Sequence, residues 1–182
     1  MKAAKIIGLG ALLAVPGLSG ASVCESGSIG VGPYISAAPL MDSSGSTRQR
    51  FKGGSLTAKC AFNDGFALSV GSFMAENNSS NSSLHGIDVA VLTGHNLASE
   101  GFTSQMGASL IYSWNNPDSG SNLSYPTVAL VSGLGYNWKN IGLMFSVDIP
   151  VYMERKYLRR VEADYARLHY PLAGRATVSF RF

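Results

Sequence analysis

The chain has 182 residues, of which 14% are charged, low against the roughly one quarter usual in soluble domains. Its formal net charge is +3, and removing Lys2 and Lys5 with an expected leader brings it to +1, which excludes a basic nucleic-acid-binding protein. After that leader no stretch approaches the roughly 18 consecutive apolar residues of a spanning helix. The most apolar segment, "IGLMFSVDIPVYM", is interrupted by Asp148 and Pro150.

In chain order, "MKAAKIIGLGALLAVPGLSGA" has two early lysines, an apolar run from Ile6 to Val15, a "PG" breaker and small residues at Ser19 and Ala21. That pattern predicts a secretory signal peptide over 1–21, with 22–182 as one β-barrel domain. Val23 stands before Cys24 where a lipidation site needs a small residue, so no lipid anchor is expected. Strands are predicted at 28–37, 51–61, 66–74, 84–93, 102–114, 125–136, 141–152 and 172–182, from period-two alternation. In the fifth, Phe102, Met106, Leu110, Tyr112 and Trp114 share one face, while Thr103, Gln105, Ser109 and Ser113 share the other. In the seventh, Ile141, Leu143, Phe145, Val147, Ile149 and Val151 oppose Gly142, Ser146 and Asp148. Most of these segments are near the 9–11 residues with which a tilted strand crosses a bilayer.

The connections read as alternately long and short. "APLMDSSGSTRQR", "AENNSSNSS", "NNPDSGSNLS" and the segment from about Met153 to Tyr170 are long; "NDG", "GHNLASE" and "NWKN" are shorter, and "NDG" is a hairpin signal. This rhythm predicts an all-β, eight-stranded antiparallel up-and-down transmembrane β-barrel with long loops outside and short turns in the periplasm. Cys24 and Cys60 then fall at the same rim and are expected to form a disulfide. His85, His95 and His169 are scattered and the two cysteines lack a nearby histidine, so neither a metal site nor a cofactor is expected.

An eight-stranded barrel is just wide enough to be filled by its own side chains. Alternation places Lys59, Asp88, Asp148, Arg175 and Arg181 in the lumen as a charge network. Asp148 and Arg175 are expected to pair across neighbouring strands, so that Asp148→Ala would leave Arg175 unpaired. Tyr112, Trp114, Tyr125, Tyr136, Trp138, Tyr152 and Phe182 lie near strand ends, where interfacial girdles place aromatic rings. The last connection, "ERKYLRRVEADYARLHY", gathers Arg155, Lys156, Arg159 and Arg160 into a basic cluster suited to lipopolysaccharide phosphates or an acidic glycan. Its Leu158, Val161, Tyr165 and Leu168 have helical spacing.

The leader, the eight alternating segments and the terminal "TVSFRF" together resemble the small outer-membrane β-barrel proteins of Gram-negative bacteria. The resemblance implies location in the outer membrane, contact with its lipid and lipopolysaccharide, a monomeric state, and recognition of Phe180 and Phe182 by the barrel assembly machinery. That architecture hosts adhesins, anchors, lipid A enzymes and small channels, so it does not select a function. The His-x-Ser pair of lipid A deacylase barrels is absent: Ile87, Leu97 and Pro171 stand two residues after the three histidines. The amphipathic N-terminal helix of palmitoyl-transfer barrels has no counterpart in "SVCESGSIGVG". The expectation is a non-enzymatic structural or surface-interaction role, adhesin- or anchor-like. The "DIPVY…RF" ending resembles barrels that take up aromatic compounds, which keeps a small-solute channel as the alternative. A soluble secreted sandwich, with Asn81 and Asn122 as glycan acceptors, is a further reading.

Overall fold

A computed structural model describes residues 23–42, 45–77, 82–116, 123–153 and 172–182. The basic cluster of Arg155, Lys156, Arg159 and Arg160, and the expected leader over 1–21, lie outside these residues. Eight strands, β1 (Ser26–Asp42), β2 (Gly45–Asn63), β3 (Phe66–Asn77), β4 (Ser82–His95), β5 (Gly101–Asn116), β6 (Leu123–Asn137), β7 (Ile141–Met153) and β8 (Ala173–Arg181), follow one another in space as in sequence. Each pairs antiparallel with the next, and β8 pairs with β1 to close the barrel. Closure leaves no strand edge unpaired along the seam from Ser28↔Arg181 to Ser36↔Ala173, apart from a gap at Gly32 and Pro33.

Alternation sorts the side chains as in a protein turned inside out. Val31, Leu68, Val89, Leu110, Leu130, Phe145 and Val178 are exposed on the outer wall. Ser28, Ser55, Ser69, Ser109, Thr127, Asp88 and Asp148 are buried within. An apolar belt this continuous exceeds what a soluble surface carries and marks contact with an apolar phase. Of the expected girdle, Tyr112, Trp114, Tyr136, Trp138, Tyr152 and Phe182 are exposed, but Tyr125 is only 5% exposed and faces the lumen. Counting from Pro126 into β6 shows why: Tyr125 shares the inward parity of Thr127 and Ala129, so position near a strand end misassigned it.

The expected alternation of long and short loops is realised differently. β1 and β2 remain paired through "APLMDSSGSTRQR" up to Asp42↔Gly45, and β3 and β4 up to Asn77↔Ser82. Once a hairpin is zipped, each added pair satisfies further backbone groups without new loop closure, so polar Ser, Gly and Asn arms extend the ladder beyond the apolar belt. Strand overshoot therefore accounts for much of what reads in sequence as loop. The strand prolines sit where an N–H is not needed. Pro33 faces the gap in the β1–β8 seam, Pro39 lies beyond the last β1–β8 pair, Pro150 adjoins the irregularity at Val128/Ala129, and Pro126 lies beyond the last β6–β7 pair.

The end holding residues 64–65, 96–100, 138–140 and both described chain ends is called the floor, and the opposite end the rim. At the floor Cys24 and Cys60 form a disulfide with a Cα–Cα distance of 5.3 Å, and the Glu25 amide donates to the Ala61 carbonyl at 2.8 Å.

Candidate functional site

The lumen is the natural place to look for a pore or a catalytic site, and its residues fill it at three levels. In the middle, the Arg175 guanidinium lies between two carboxylates. Its Nη1 is 2.8 Å from Asp88 Oδ2 and its Nη2 is 2.9 Å from Asp148 Oδ2. Asp88, Asp148 and Arg175 are 5%, 4% and 9% exposed, so this is a desolvated ion triad rather than a wet lining. Asp148 reaches Arg175 diagonally across neighbouring strands, since β7 Ser146 is the residue directly opposite Arg175. Asp88 comes from β4 on the far wall, a partner that no local pattern indicates. Consequently Asp148→Ala would leave Arg175 with Asp88, not unpaired as the sequence reading expects.

Gly71 makes room for the triad. It stands opposite Asp88 in the β3–β4 register, and a Cβ there would lie 2.6 Å from Asp88 Oδ2 and 2.9 Å from Arg175 Nη1. On the rim side the triad is capped by Tyr34 and Phe73, stacked at 4.4 Å between ring centroids. Arg175 Cζ is 5.6 Å from the Tyr34 centroid and 5.8 Å from that of Phe73, within cation–π range. These rings join Phe51, Leu84, Ile111, Ala129 and Ala173 in an apolar layer of the upper lumen, beside a cavity of about 40 Å³ lined by Tyr34, Tyr125 and Thr127.

Below the triad is a cavity of about 70 Å³ with Lys59, Gln105, Ser69 and Ser179 on its wall. Lys59 thus faces the lumen but makes no ion pair with the triad acids, so the five-residue charge network of the sequence reading divides into separate parts. Arg181, the fifth member, is recruited elsewhere. It donates from Nη1 to the Trp138 carbonyl at 2.8 Å and from Nη2 to the carbonyls of Ala98 and Ser99 and to Ser26 Oγ.

The Ala98 and Ser99 carbonyls belong to the third level, a floor made by residues 96–100. Leu97, 1% exposed, inserts beneath the cavity and packs with Ala61, Ala67, Ala90, Leu92 and Val131. Asp64 of the β2–β3 turn holds the segment: its carboxylate accepts from the Ser99 amide and hydroxyl, each at 2.8 Å, and from the Ala98 amide at 3.3 Å. Asn137 Nδ2 donates to the Asn96 carbonyl at 2.9 Å, and Asn96 itself has a φ of 52°, a conformation asparagine tolerates. The Ser99 hydroxyl and amide, more than any other contact, hold the Asp64 carboxyl below its ordinary pKa of 3.8. The sequence reading treats "GHNLASE" as a plain link; its signal was a leucine inside an otherwise polar connection. Among the described residues no cluster of three His, Cys, Asp or Glu is placed to hold a metal.

Phe182 closes the floor at the seam. Its carbonyl accepts from the Gly27 amide at 2.8 Å and its amide donates to the Gly27 carbonyl at 2.9 Å. Phe180 and Phe182 point outward, with ring centroids 6.3 Å apart.

No family model matches the chain, and no curated protein does. Solved structures do. Neisserial surface protein A superposes with a TM-score of 0.54 at 14% identity, covering 86% of this chain and 96% of that one. The N-terminal β-barrel domain of Pseudomonas aeruginosa OprF gives a TM-score of 0.54 at 15% identity, over 87% of this chain and 98% of that one. The outer membrane protein OprG from the same organism gives 0.53 at 9% identity, over 88% and 97%. At these identities the likeness shows the fold: an eight-stranded barrel of the outer-membrane type.

Proposed function

We propose that the chain is an integral outer-membrane barrel with a sealed lumen, which acts at its outer surface as an anchor or adhesin and carries out no catalysis. The observation that supports this reading is the filling of the lumen at all three levels, by the aromatic layer, the ion triad and the Leu97 floor. A barrel without a through-path has its outward-facing segments left for interaction. The largest of these is the connection between β7 and β8, which leaves from Met153 and returns before Ala173 at the rim. It carries Arg155, Lys156, Arg159 and Arg160, suited to anionic sugars and phosphates. In this reading the protein is a monomer, exported with a cleaved leader over 1–21 and assembled by the barrel machinery through Phe180 and Phe182.

Binding of lipopolysaccharide and of heparin, measured with protein refolded in detergent, tests the surface role. Arg159→Gln/Arg160→Gln should weaken both by about tenfold, each exposed cation contributing roughly 1 kcal/mol or less. Unchanged binding would remove the cluster from the account. The alternative, a small-solute channel, is favoured by the cavity beside Lys59 and a smaller one on the rim side of Asp148, which would have to connect to each other and to both ends.

A further inference from the structure

Glycine interrupts the side chains of the outer wall at Gly54 and at Gly174, and a groove opens beside Gly174. The row of outward-facing residues at Ile35 can be followed in both directions through the strand register. One way it passes Lys52, Glu76 and Ser83 to Asn116, at the rim end of β5. The other way it passes Gly174 and Val147 to Ser132, well inside β6. Strand tilt therefore makes this row descend from the rim at β5, through β2 and β1, toward the middle of the wall at β7. At Gly174 the row lacks a side chain, and the recess between Ile35 and Val147 opens into a groove of about 450 Å³. Ile35, Ala37, Val147, Leu172 and Gly174 line it, and Phe51 lies at its lumen side. Ile35 is 58% exposed and Val147 43%, so the groove opens on the outside of the barrel, not into the lumen.

The groove's upper border is basic. Arg50 and Lys52 have the same outward parity on β2, both are exposed, and both contribute to the groove. They lie toward the same end as the exposed Tyr112, Trp114 and Tyr152, the aromatic band of the rim. Among the described residues the only acid facing them in register is Glu76, opposite Lys52. Cations at the head of an apolar groove that descends along a lipid-facing wall complement an amphiphile with an anionic head and a hydrocarbon tail.

We infer that this groove binds a phosphorylated acyl lipid of the outer leaflet, lipid A. Arg50 and Lys52 hold its phosphates, and one acyl chain lies over Gly174 between Ile35 and Val147. The inference rests on the outer-membrane reading, and it assigns a site on the outer wall of the barrel. Gly174 is the specificity element, because any longer side chain there fills the groove. A Cβ at this position would lie 3.4 Å from Ile35 Cγ1, an ordinary contact, so the barrel itself tolerates a substitution.

The test uses the full mature chain in phosphatidylcholine nanodiscs offered bisphosphorylated or dephosphorylated lipid A, with bound lipid counted by native mass spectrometry. The wild type should retain bisphosphorylated lipid A and release the dephosphorylated form. Arg50→Gln/Lys52→Gln should reduce retention by about tenfold or more, at roughly 1 kcal/mol per cation at a membrane surface. Gly174→Leu should reduce it with both cations in place. Equal retention of the two lipids, or wild-type retention in either the Arg50→Gln/Lys52→Gln or the Gly174→Leu variant, would overturn the site. Heat-shifted gel mobility checks that each variant is folded. A barrel that inserts into vesicles but retains no lipid A overturns this inference alone; one that does not insert overturns the membrane reading as well.

Discussion

Arg175 is the residue on which the lumen turns. Its guanidinium satisfies two buried carboxylates from opposite walls, at 2.8 and 2.9 Å. Arg175→Met would leave Asp88 and Asp148 facing each other without a counter-charge, and removing one partner of a buried pair typically costs about 3–5 kcal/mol. Urea unfolding from lipid vesicles should show that loss. Asp148→Asn should lose less, because Asp88 still holds Nη1, and an Arg175→Met midpoint equal to wild type would deny the triad a stabilising role. The sequence makes part of this legible. Alternation places Asp148 and Arg175 inward on consecutive strands, a pair readable from parity alone. Asp88 is also inward by parity, but its partner is set by barrel tilt and diameter, which bring distant strands to one height across the lumen. That is a property of closure, and no window of residues contains it.

At the scale of elements, the segment 96–100 and the β1–β8 seam shape the floor. Asp64 clamps the segment through Ser99 and Ala98, and its carboxyl is held below the ordinary value of 3.8. A depressed carboxyl contributes stability that is present above the unfolded value and lost as pH falls through the folded one. The floor should therefore stay shut at neutral and mildly acidic pH and loosen only below that range. Amide exchange at Ala98 and Ser99 should quicken there, and should already be fast at neutral pH in Asp64→Ala; slow exchange in the variant would assign the clamp to other bonds. At the seam, deletion of Phe182 removes both backbone bonds to Gly27 and the ring that covers it. The variant should assemble poorly into the outer membrane, while its folded fraction binds ligands normally; wild-type assembly would remove Phe182 as a signal. All eight strands were legible because lipid and lumen impose opposite chemistry on alternate residues. The rim arms were not, since Gly, Ser and Asn look the same in a loop and in a strand that extends beyond the apolar belt.

For the whole molecule, the distribution of polarity is the argument: apolar outside, polar and charged inside, and a core divided among a rim-side aromatic layer, a triad and a floor. Sparse charge and period-two alternation already pointed to this inversion. The proposed sealing did not appear in the sequence, because it depends on Leu97 folding back under the barrel and on Arg181 turning from the charged lumen to the carbonyls of Trp138, Ala98 and Ser99. The account stands or falls on whether the barrel conducts. Protein inserted into a planar lipid bilayer should give no steady ionic current, and the double variant Asp64→Ala/Arg181→Ala, which frees the floor, should give at most brief openings while the triad remains. A stable, solute-dependent current through the wild-type barrel would contradict the sealed lumen and restore the channel reading.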